Sequence, residues 1–499
     1  MSAELTARAR SGTAWVAAQA LVKHGLDLVV FLCLARWLMP QAFGVMALVN
    51  TVLSLVLVLS ELGLGDALVQ RHRLGPRTRD TAFWLSLGGA VCLALLLAAV
   101  AWPLAWAYGQ PEVATITWAA MPLVVMVAFN TVPQALLQRE LSFRPLAVKT
   151  LIGSLAGALT GLGLALNGAG VWSLIGQQLV SAAVSLGLLW WLAKWRPRWR
   201  FSRKVAWGLL RFARHVLSAR GLNIVASKVD DAVIGVVLGP AALGIYAVAS
   251  RLRLALEQVF CQGVDAVALS AFSRLAGSPP ALAHGYLHAT RLAFSLALPV
   301  FASAGWLAPH VLPLWIGDRW APAMGTLQVL LVAGFFQSFL HFNHAVFRAL
   351  GCPQRSWHLG AASLGLNLLL AGAVVGWGIE AVAWAYVARV CLMGPWGAAT
   401  ALRALGLGVQ DGLRNIAGPV GAGALAALAA AALWQGLAGT GWPTWVRAVL
   451  ICVPSWAVYG VWLWRQPGLL PRRLKRPISP VDSRTRRWAP GANRSNRPA

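Results

Sequence analysis

Charged residues interrupt three of the long apolar segments in this sequence, at positions where a membrane-spanning helix would reach mid-depth. In the first segment Lys23 and Asp27 stand four residues apart, so they lie on one face of a helix. A charge at the bilayer centre costs about 2.5–3.5 kcal/mol on insertion scales, so such residues usually pair with one another or face a wet cavity. Both arrangements place these side chains inside a helical bundle.

Cations at this depth are candidates for binding an anionic substrate, and carboxylates are candidates for binding a coupling proton or sodium ion or for gating. The candidate substrate-binding residues are Lys23, Arg220, Lys228 and Arg251. The candidates for ion coupling or gating are Asp27, Asp230, Asp231 and Glu257, and Arg291 and Arg389 are further candidates in later segments. The alternative is that Lys23–Asp27, Lys228–Asp231 and Arg253–Glu257 are neutralising pairs that let a polar helix sit in a bundle.

The elements that position these residues are membrane-spanning helices. The chain has 499 residues, of which 58% are hydrophobic and 11% charged, whereas soluble domains contain about 25% charged residues. The apolar runs are long enough for helices and show no strand-like alternation. The predicted spans number fourteen: 13–38, 43–64, 81–108, 113–137, 148–167, 170–193, 216–238, 241–268, 285–312, 322–349, 356–377, 379–402, 413–435 and 443–465.

The net charge of +27 is concentrated on one side of the predicted membrane, which argues against a nucleic-acid partner. Basic residues flank every second loop, while the remaining loops hold only Arg319. The positive-inside rule therefore predicts that both termini are cytoplasmic. The six cysteines show no metal-binding spacing, and neither a G-x-x-x-x-G-K-[ST] nor an H-E-x-x-H motif is present, so we expect no metal, no cofactor and no enzymatic activity.

A repeated stretch divides the chain into two related halves. Leu38–Ala47 returns without a gap as Leu238–Ala247, with Pro40 and Gly44 matched by Pro240 and Gly244. The copies begin an even number of spans apart, so they share one orientation. The predicted organisation is an N-terminal six-helix bundle (1–193), a basic cytoplasmic linker (194–215), a C-terminal six-helix bundle (216–402), two additional helices (413–465) and a disordered basic tail (466–499).

Small residues predict one close helix contact. Gly153, Gly157 and Gly161 stand four residues apart in the fifth predicted span. This spacing lets the backbone of a helix approach a neighbour closely, so we interpret the three glycines as a packing surface.

Five blocks of the sequence carry a family resemblance: Ala42–Val49, Ser60–Arg71, Gln138–Arg144, Gly168–Gln178 and Asp230–Gly239. Together they resemble bacterial polysaccharide transporters, the lipid-linked oligosaccharide flippases of the multidrug/oligosaccharidyl-lipid/polysaccharide exporter superfamily. The resemblance implies two bundles in a V around a central cavity. It also implies alternating access and an undecaprenyl-diphosphate-linked oligosaccharide cargo, moved across the bacterial inner membrane for exopolysaccharide, capsule or O-antigen synthesis. Membrane lipids, a polysaccharide polymerase and glycosyltransferases are the expected partners.

Two alternatives remain open on the sequence. A multidrug or peptidoglycan-precursor exporter of the same superfamily would share the fold and differ in cargo. A membrane glycosyltransferase or polysaccharide polymerase would need a large external loop or catalytic carboxylates at the outer face, and only Glu112, Asp318 and Glu380 are predicted near that face.

Overall fold

The computed structural model describes residues 3–71, 74–193, 195–275, 278–350, 352–437 and 441–465. Within these ranges the chain forms fifteen α-helices and two short 3-10 helices, and no strand. The helices are α1 (Ala3–Trp37), α2 (Pro40–Glu61), α3 (Leu64–Gln70), α4 (Pro76–Ala107), α5 (Pro111–Arg139), α6 (Phe143–Leu166), α7 (Val171–Leu192), α8 (Arg203–Val237), α9 (Gly239–Leu275), α10 (Pro279–Ile316), α11 (Ala321–Ala349), α12 (Pro353–Val374), α13 (Ile379–Ala404), α14 (Val409–Gly436) and α15 (Thr444–Arg465). The predicted tail, 466–499, lies outside the described residues.

Ten helical segments in the described part of the chain are long and apolar enough to cross a membrane. The long helices outside this set are α1, α8, α9 and α13. They are the helices that carry Lys23, Lys228, Arg251 and Arg389 in their interiors. The predicted membrane protein is thus confirmed, and the number of fourteen spans stays a prediction. The four charged helices are not apolar enough to be recognised as membrane spans by composition. A charged helix can cross a membrane when neighbouring helices shield its charges from lipid.

The two halves repeat the same pattern of helix contacts. The α1–α2 and α8–α9 turns lie at one end of the molecule, here called the hairpin end, and residues 195–202 lie at the opposite end, the linker end. Matching contacts in the two halves are α1–α6 and α8–α12, α2–α5 and α9–α11, α4–α5 and α10–α11, α6–α7 and α12–α13, and α5–α7 and α11–α13. The final helices, α14 and α15, pack against α10 and add to the periphery of the second half.

The halves meet where α2 crosses α9, and the repeated stretch forms this crossing. A Cβ atom at Gly44 would overlap the carbonyl oxygen of Pro240, and a Cβ at Gly244 would overlap the carbonyl oxygen of Pro40. The contact is reciprocal, as expected for two equivalent surfaces related by a two-fold axis. Only glycine permits this approach of backbone to backbone.

An aromatic contact closes the hairpin end beside the crossing. Trp320, which follows α10, is completely buried, and its ring centroid lies 5.4 Å from that of Phe43 on α2. The Trp320 Nε1–H group donates a hydrogen bond of 2.8 Å to the carbonyl oxygen of Ala35 on α1. Phe43 in turn contacts Phe31 on α1, with centroids 5.5 Å apart. One apolar core therefore continues from one half into the other at this end.

The predicted linker is partly helical, because α8 begins at Arg203. Its first turns bury Leu209 and Ala213 against α3, α4 and α5. The Ser202 amide also donates to Thr81 Oγ1 on α4, at 3.2 Å. The apolar positions four residues apart make this part of the linker an amphipathic helix that docks on the first half.

Candidate functional site

A cavity of about 1270 Å³ lies between the two halves. It extends from Phe43, near the hairpin end, to Trp357, near the linker end, and Trp357 is half exposed. Its walls come from α1, α2, α6, α7, α8, α9, α11, α12 and α13. All four charged helices outside the apolar set contribute to these walls, so the polar groups that lipid would exclude face an internal space instead.

Most of the predicted site residues line this cavity. The residues on its wall are Lys23, Asp27, Lys228, Asp230, Asp231 and Arg251. The side chain of Arg220 lies outside the described residues. Glu257 is buried, pairs with Arg253 and is not among the residues that line the cavity. Of these two neighbours on α9, the arginine lines the cavity, and the ion-coupling or gating role of Glu257 stays a prediction.

All three predicted ion pairs form. Lys23 Nζ lies 2.5 Å from Asp27 Oδ2 on α1, and Lys228 Nζ lies 2.7 Å from Asp231 Oδ2 on α8. Both pairs are partly exposed to the cavity. The third pair, Arg253–Glu257, is buried. The residues of the first two pairs thus neutralise each other locally and also line the cavity. Their role as neutralising pairs therefore does not exclude a role as site residues.

Asp230 connects three helices of the second half. Its Oδ2 accepts a hydrogen bond of 3.2 Å from the Tyr246 hydroxyl on α9, and its Oδ1 accepts one of 2.9 Å from Asn367 Nδ2 on α12. The carboxylate is 6% exposed and its two partners are buried. Asp230 is therefore held by neutral donors, in contrast to its sequence neighbour Asp231, which is paired with a lysine.

A network of polar and aromatic groups surrounds Arg253. Its guanidinium lies 2.5 Å from Glu257 Oε2 and donates to Gln337 Oε1 on α11 at 3.1 Å. Gln337 donates to the Tyr386 hydroxyl on α13 at 3.0 Å. The Tyr386 ring lies beneath the Arg253 guanidinium, 5.2 Å from its centre, an arrangement that supports cation–π attraction. This network fixes the side chains that project from α9 and α13.

Arg389 on α13, which was only a further candidate from the sequence, also lines the cavity. Its NH1 group donates to Ser363 Oγ at 2.7 Å, and its guanidinium centre lies 4.4 Å from the Tyr386 ring centroid. Its Nε–H is buried without a hydrogen-bond partner. The cue in the sequence was a single arginine within an otherwise apolar span. A single charge has no oppositely charged residue within one helical turn, so it indicates a functional site less strongly than an ion pair does.

Cations outnumber carboxylates on the described part of the wall. Lys23, Lys228, Arg251, Arg253 and Arg389 are the five cations, and three aspartates are the carboxylates. Among the described residues, Arg251 and Arg389 form no direct salt bridge. Arg251 lies over the Phe31 ring, 5.4 Å from its centroid. Asp27 and Asp230 act on Arg251 and Arg389 electrostatically without a direct salt bridge, and Glu257 neutralises Arg253. The cavity therefore keeps a small excess of positive charge at mid-depth, where an anionic group can be held.

The wall contributed by α6 and α7 has a different chemistry, since its polar residues are uncharged. They are Ser154, Gln177, Gln178, Ser181 and Ser185. A Cβ at Gly157 would lie 2.5 Å from the Gln177 carbonyl oxygen, and one at Gly161 would lie 2.9 Å from Gln177 Cβ. The predicted packing role of the glycine stripe is confirmed, and the partner surface is the helix that carries these polar side chains.

Two related halves of membrane-spanning helices around one polar cavity define the architecture of a transporter. A protein-family model described as "polysaccharide biosynthesis protein" matches residues 33–325, and the chain belongs to this family. The succinoglycan biosynthesis transport protein ExoT of Rhizobium meliloti (strain 1021) is 29% identical over 72% of this chain and 73% of its own length. The resemblance to bacterial polysaccharide transporters is thereby confirmed.

Solved structures support the same fold. The lipid II flippase MurJ, in an inward closed conformation, has a TM-score of 0.73 and 12% identity, over 90% of this chain and 98% of its own. An inward-facing multidrug resistance transporter of the MATE family, in the MOP superfamily, has a TM-score of 0.61 and 19% identity, over 77% of this chain and 98% of its own. At these identities the likeness concerns architecture, so the predicted two-bundle membrane fold is confirmed.

Proposed function

We propose that this protein is a flippase that moves undecaprenyl-diphosphate-linked oligosaccharide across the bacterial inner membrane by alternating access. The observation that carries the proposal is the excess of cations in a cavity of about 1270 Å³ between the two halves. A diphosphate with an attached glycan cannot cross hydrocarbon unaided, because its polar groups would lose their hydration. Charge-assisted hydrogen bonds from guanidinium groups replace that hydration inside the cavity.

The roles of individual residues follow from their partners. Arg251 and Arg389 hold the diphosphate, because they form no direct salt bridge among the described residues. Lys23 and Lys228 join them when the substrate competes with their aspartate partners. Release of Asp27 or Asp231 from its lysine then couples substrate binding to movement or to uptake of a proton or sodium ion. This assignment uses binding and conformational change alone, with no catalytic step and no cofactor.

The proposed movement is a rocking of the two bundles, 1–193 and 216–402, with 413–465 attached to the second. The hairpin end is closed by the Gly44–Pro240 and Gly244–Pro40 contacts, so substrate enters from the linker end. We place the linker end and both termini in the cytoplasm, because the basic loops lie there. A polysaccharide polymerase and glycosyltransferases would then act on the product and supply the substrate.

The test is deletion of the gene in its source strain, followed by measurement of undecaprenyl-diphosphate-linked glycan in each leaflet and of surface polysaccharide. We expect the glycolipid to accumulate in the cytoplasmic leaflet and the surface polymer to disappear. Unchanged polysaccharide together with altered drug sensitivity would refute the proposal and indicate a drug exporter. Loss of viability with lysis on depletion would instead indicate a peptidoglycan-precursor exporter.

Complementation identifies the residues that carry the function. Arg251→Gln and Arg389→Gln should each reduce export about 10- to 100-fold, since a hydrogen bond to a charged group contributes about 1.5–3 kcal/mol. Arg319→Gln is the matched control, because Arg319 is exposed at the hairpin end and outside the cavity. Full export by both cavity variants, at normal protein abundance, would remove these arginines from the mechanism.

A further inference from the structure

The cavity is divided into a charged wall and a neutral wall. The charges project from α1, α8, α9 and α13, whereas α6 and α7 contribute only uncharged polar groups. Along α7, Gln177, Ser181 and Ser185 follow one another at four-residue intervals, so they lie on one helical face. The contacts of α7 are with α2, α5 and α6 of the first half, so this face is a fixed surface of that half.

Three polar side chains of the neutral wall are left for a ligand, whereas the Ser185 hydroxyl donates to the Lys149 carbonyl oxygen at 3.4 Å. No hydrogen bond within the described part of the chain uses the side chain of Gln177, Gln178 or Ser181. Each of these side chains is partly exposed, and each lines the cavity. Amides and hydroxyls at membrane depth are costly unless they meet water or a polar ligand. These three residues therefore present donors and acceptors to whatever occupies the cavity.

The position of this surface is built into α6. Gly153, Gly157 and Gly161 bring the two backbones together, and a Cβ at Gly157 would lie 2.7 Å from Ser181 Cβ. No larger residue fits at these positions without displacing α7. The close packing fixes the rotation and height of α7, which in turn fixes the direction of its polar face.

We propose that the α6–α7 wall is the glycan subsite of the cavity and binds the neutral sugar hydroxyls of the lipid-linked oligosaccharide. The proposal rests on the proposed flippase function. Glutamine amides and serine hydroxyls both donate and accept hydrogen bonds, which matches the two-way hydrogen bonding of a sugar hydroxyl. A diphosphate, which only accepts, is better served by the guanidinium groups on the charged wall. The bound substrate thus spans the cavity, with its diphosphate on one wall and its sugars on the other.

The size of the cavity supports a two-part ligand. Sites for drug-sized molecules enclose roughly 300–1,000 Å³. The cavity here is about 1270 Å³, and it has charged and neutral surfaces that a diphosphate alone would not use. The sugar portion accounts for the neutral surface and for the additional volume.

The experiment compares two probes on purified full-length protein in lipid nanodiscs. One probe is undecaprenyl diphosphate, and the other is undecaprenyl diphosphate carrying the oligosaccharide of the source strain, extracted from cells that lack the gene. We expect the glycosylated probe to bind at least tenfold more tightly. Gln177→Leu combined with Gln178→Leu should reduce this preference about tenfold and leave binding of undecaprenyl diphosphate within twofold of the unaltered protein.

The controls separate a failed glycan subsite from a failed flippase function. Thr160→Val is matched in location, because Thr160 on α6 donates to the Ala156 carbonyl oxygen and does not line the cavity; it should change neither affinity. Ser181→Ala is a milder variant, to be used if the double variant is less heat-stable than the unaltered protein. It should weaken the preference for the glycosylated probe about threefold. An undiminished preference in both wall variants would overturn the glycan subsite. Failure of the unaltered protein to bind either probe would overturn the flippase function and the subsite with it.

Discussion

The crossing of α2 and α9 gives a sharp prediction for alanine substitution at Gly44 or Gly244. The added methyl group of Gly44→Ala would overlap the carbonyl oxygen of Pro240, which is backbone and cannot rotate away. Inserting a methyl group into a packed contact costs about 1–3 kcal/mol. If the two halves separate to relieve the overlap, the closed hairpin end loses population by about 5- to 150-fold relative to the open one.

Spin labels on the two copies of the repeat measure this change directly. Gln41 and Ala241 occupy equivalent exposed positions, so Gln41→Cys and Ala241→Cys can carry labels in a background in which the native cysteines are replaced. Pulsed electron spin resonance should show a longer distance between the labels in Gly44→Ala than in the parent protein. Gly88→Ala is the matched control, because a Cβ at Gly88 has nothing within 4 Å.

The reciprocal geometry predicts that the two substitutions do not add. Separation of the helices relieves the Gly44 and Gly244 overlaps together, so the second alanine should cost little once the first has opened the crossing. The double variant should therefore resemble either single variant in its distance distribution. Distances in Gly44→Ala and Gly244→Ala identical to those in the Gly88→Ala control would refute the assignment of this crossing as the contact that holds the hairpin end closed.

Two further substitutions probe other contacts between helices. Trp320→Phe removes the hydrogen bond to α1 and should increase the open population about 2- to 10-fold in the same spin-label experiment, whereas the exposed Trp377→Phe should not. Glu257→Gln leaves the buried Arg253 without its charged partner and should lower the free energy of unfolding by about 3–5 kcal/mol in thermal denaturation. The exposed Glu112→Gln is the control for this second change, and equal melting temperatures for the two glutamine variants would contradict a structural role for the pair.

Local spacing made the pairs and the repeat predictable from the sequence. Lys23–Asp27 and Lys228–Asp231 lie within one helical turn, so helix geometry alone brings the partners together. The repeated Pro40–Gly44 pattern likewise identified the important hairpins. Its reciprocal contact with the second copy depends on how two distant helices cross, which the sequence does not specify.

Contacts between distant helices account for what sequence reasoning missed. Arg253 and Glu257 stand four residues apart on α9, and only packing against α11 and α13 determines that the arginine faces the cavity. Asn367 is a single amide in an apolar span. It donates a hydrogen bond to Asp230, which is 137 residues away in the sequence and lies on another helix. Gln177 belongs to a polar stripe with four-residue spacing that can be read from the sequence, but only the opposing glycine stripe was interpreted at that level.

The glycine crossing and the charged cavity impose opposite requirements on the two halves of the molecule. At the hairpin end, backbone contacts and an apolar core favour close approach of the halves. At mid-depth, five cations and three aspartates line the cavity, and their dehydration would be costly without a ligand. Collapse of the empty cavity is therefore opposed by its own charges. In the proposed flippase, an anionic substrate would remove part of that opposition by neutralising the excess cations, and we propose that this binding permits the cavity walls to approach and the hairpin end to open.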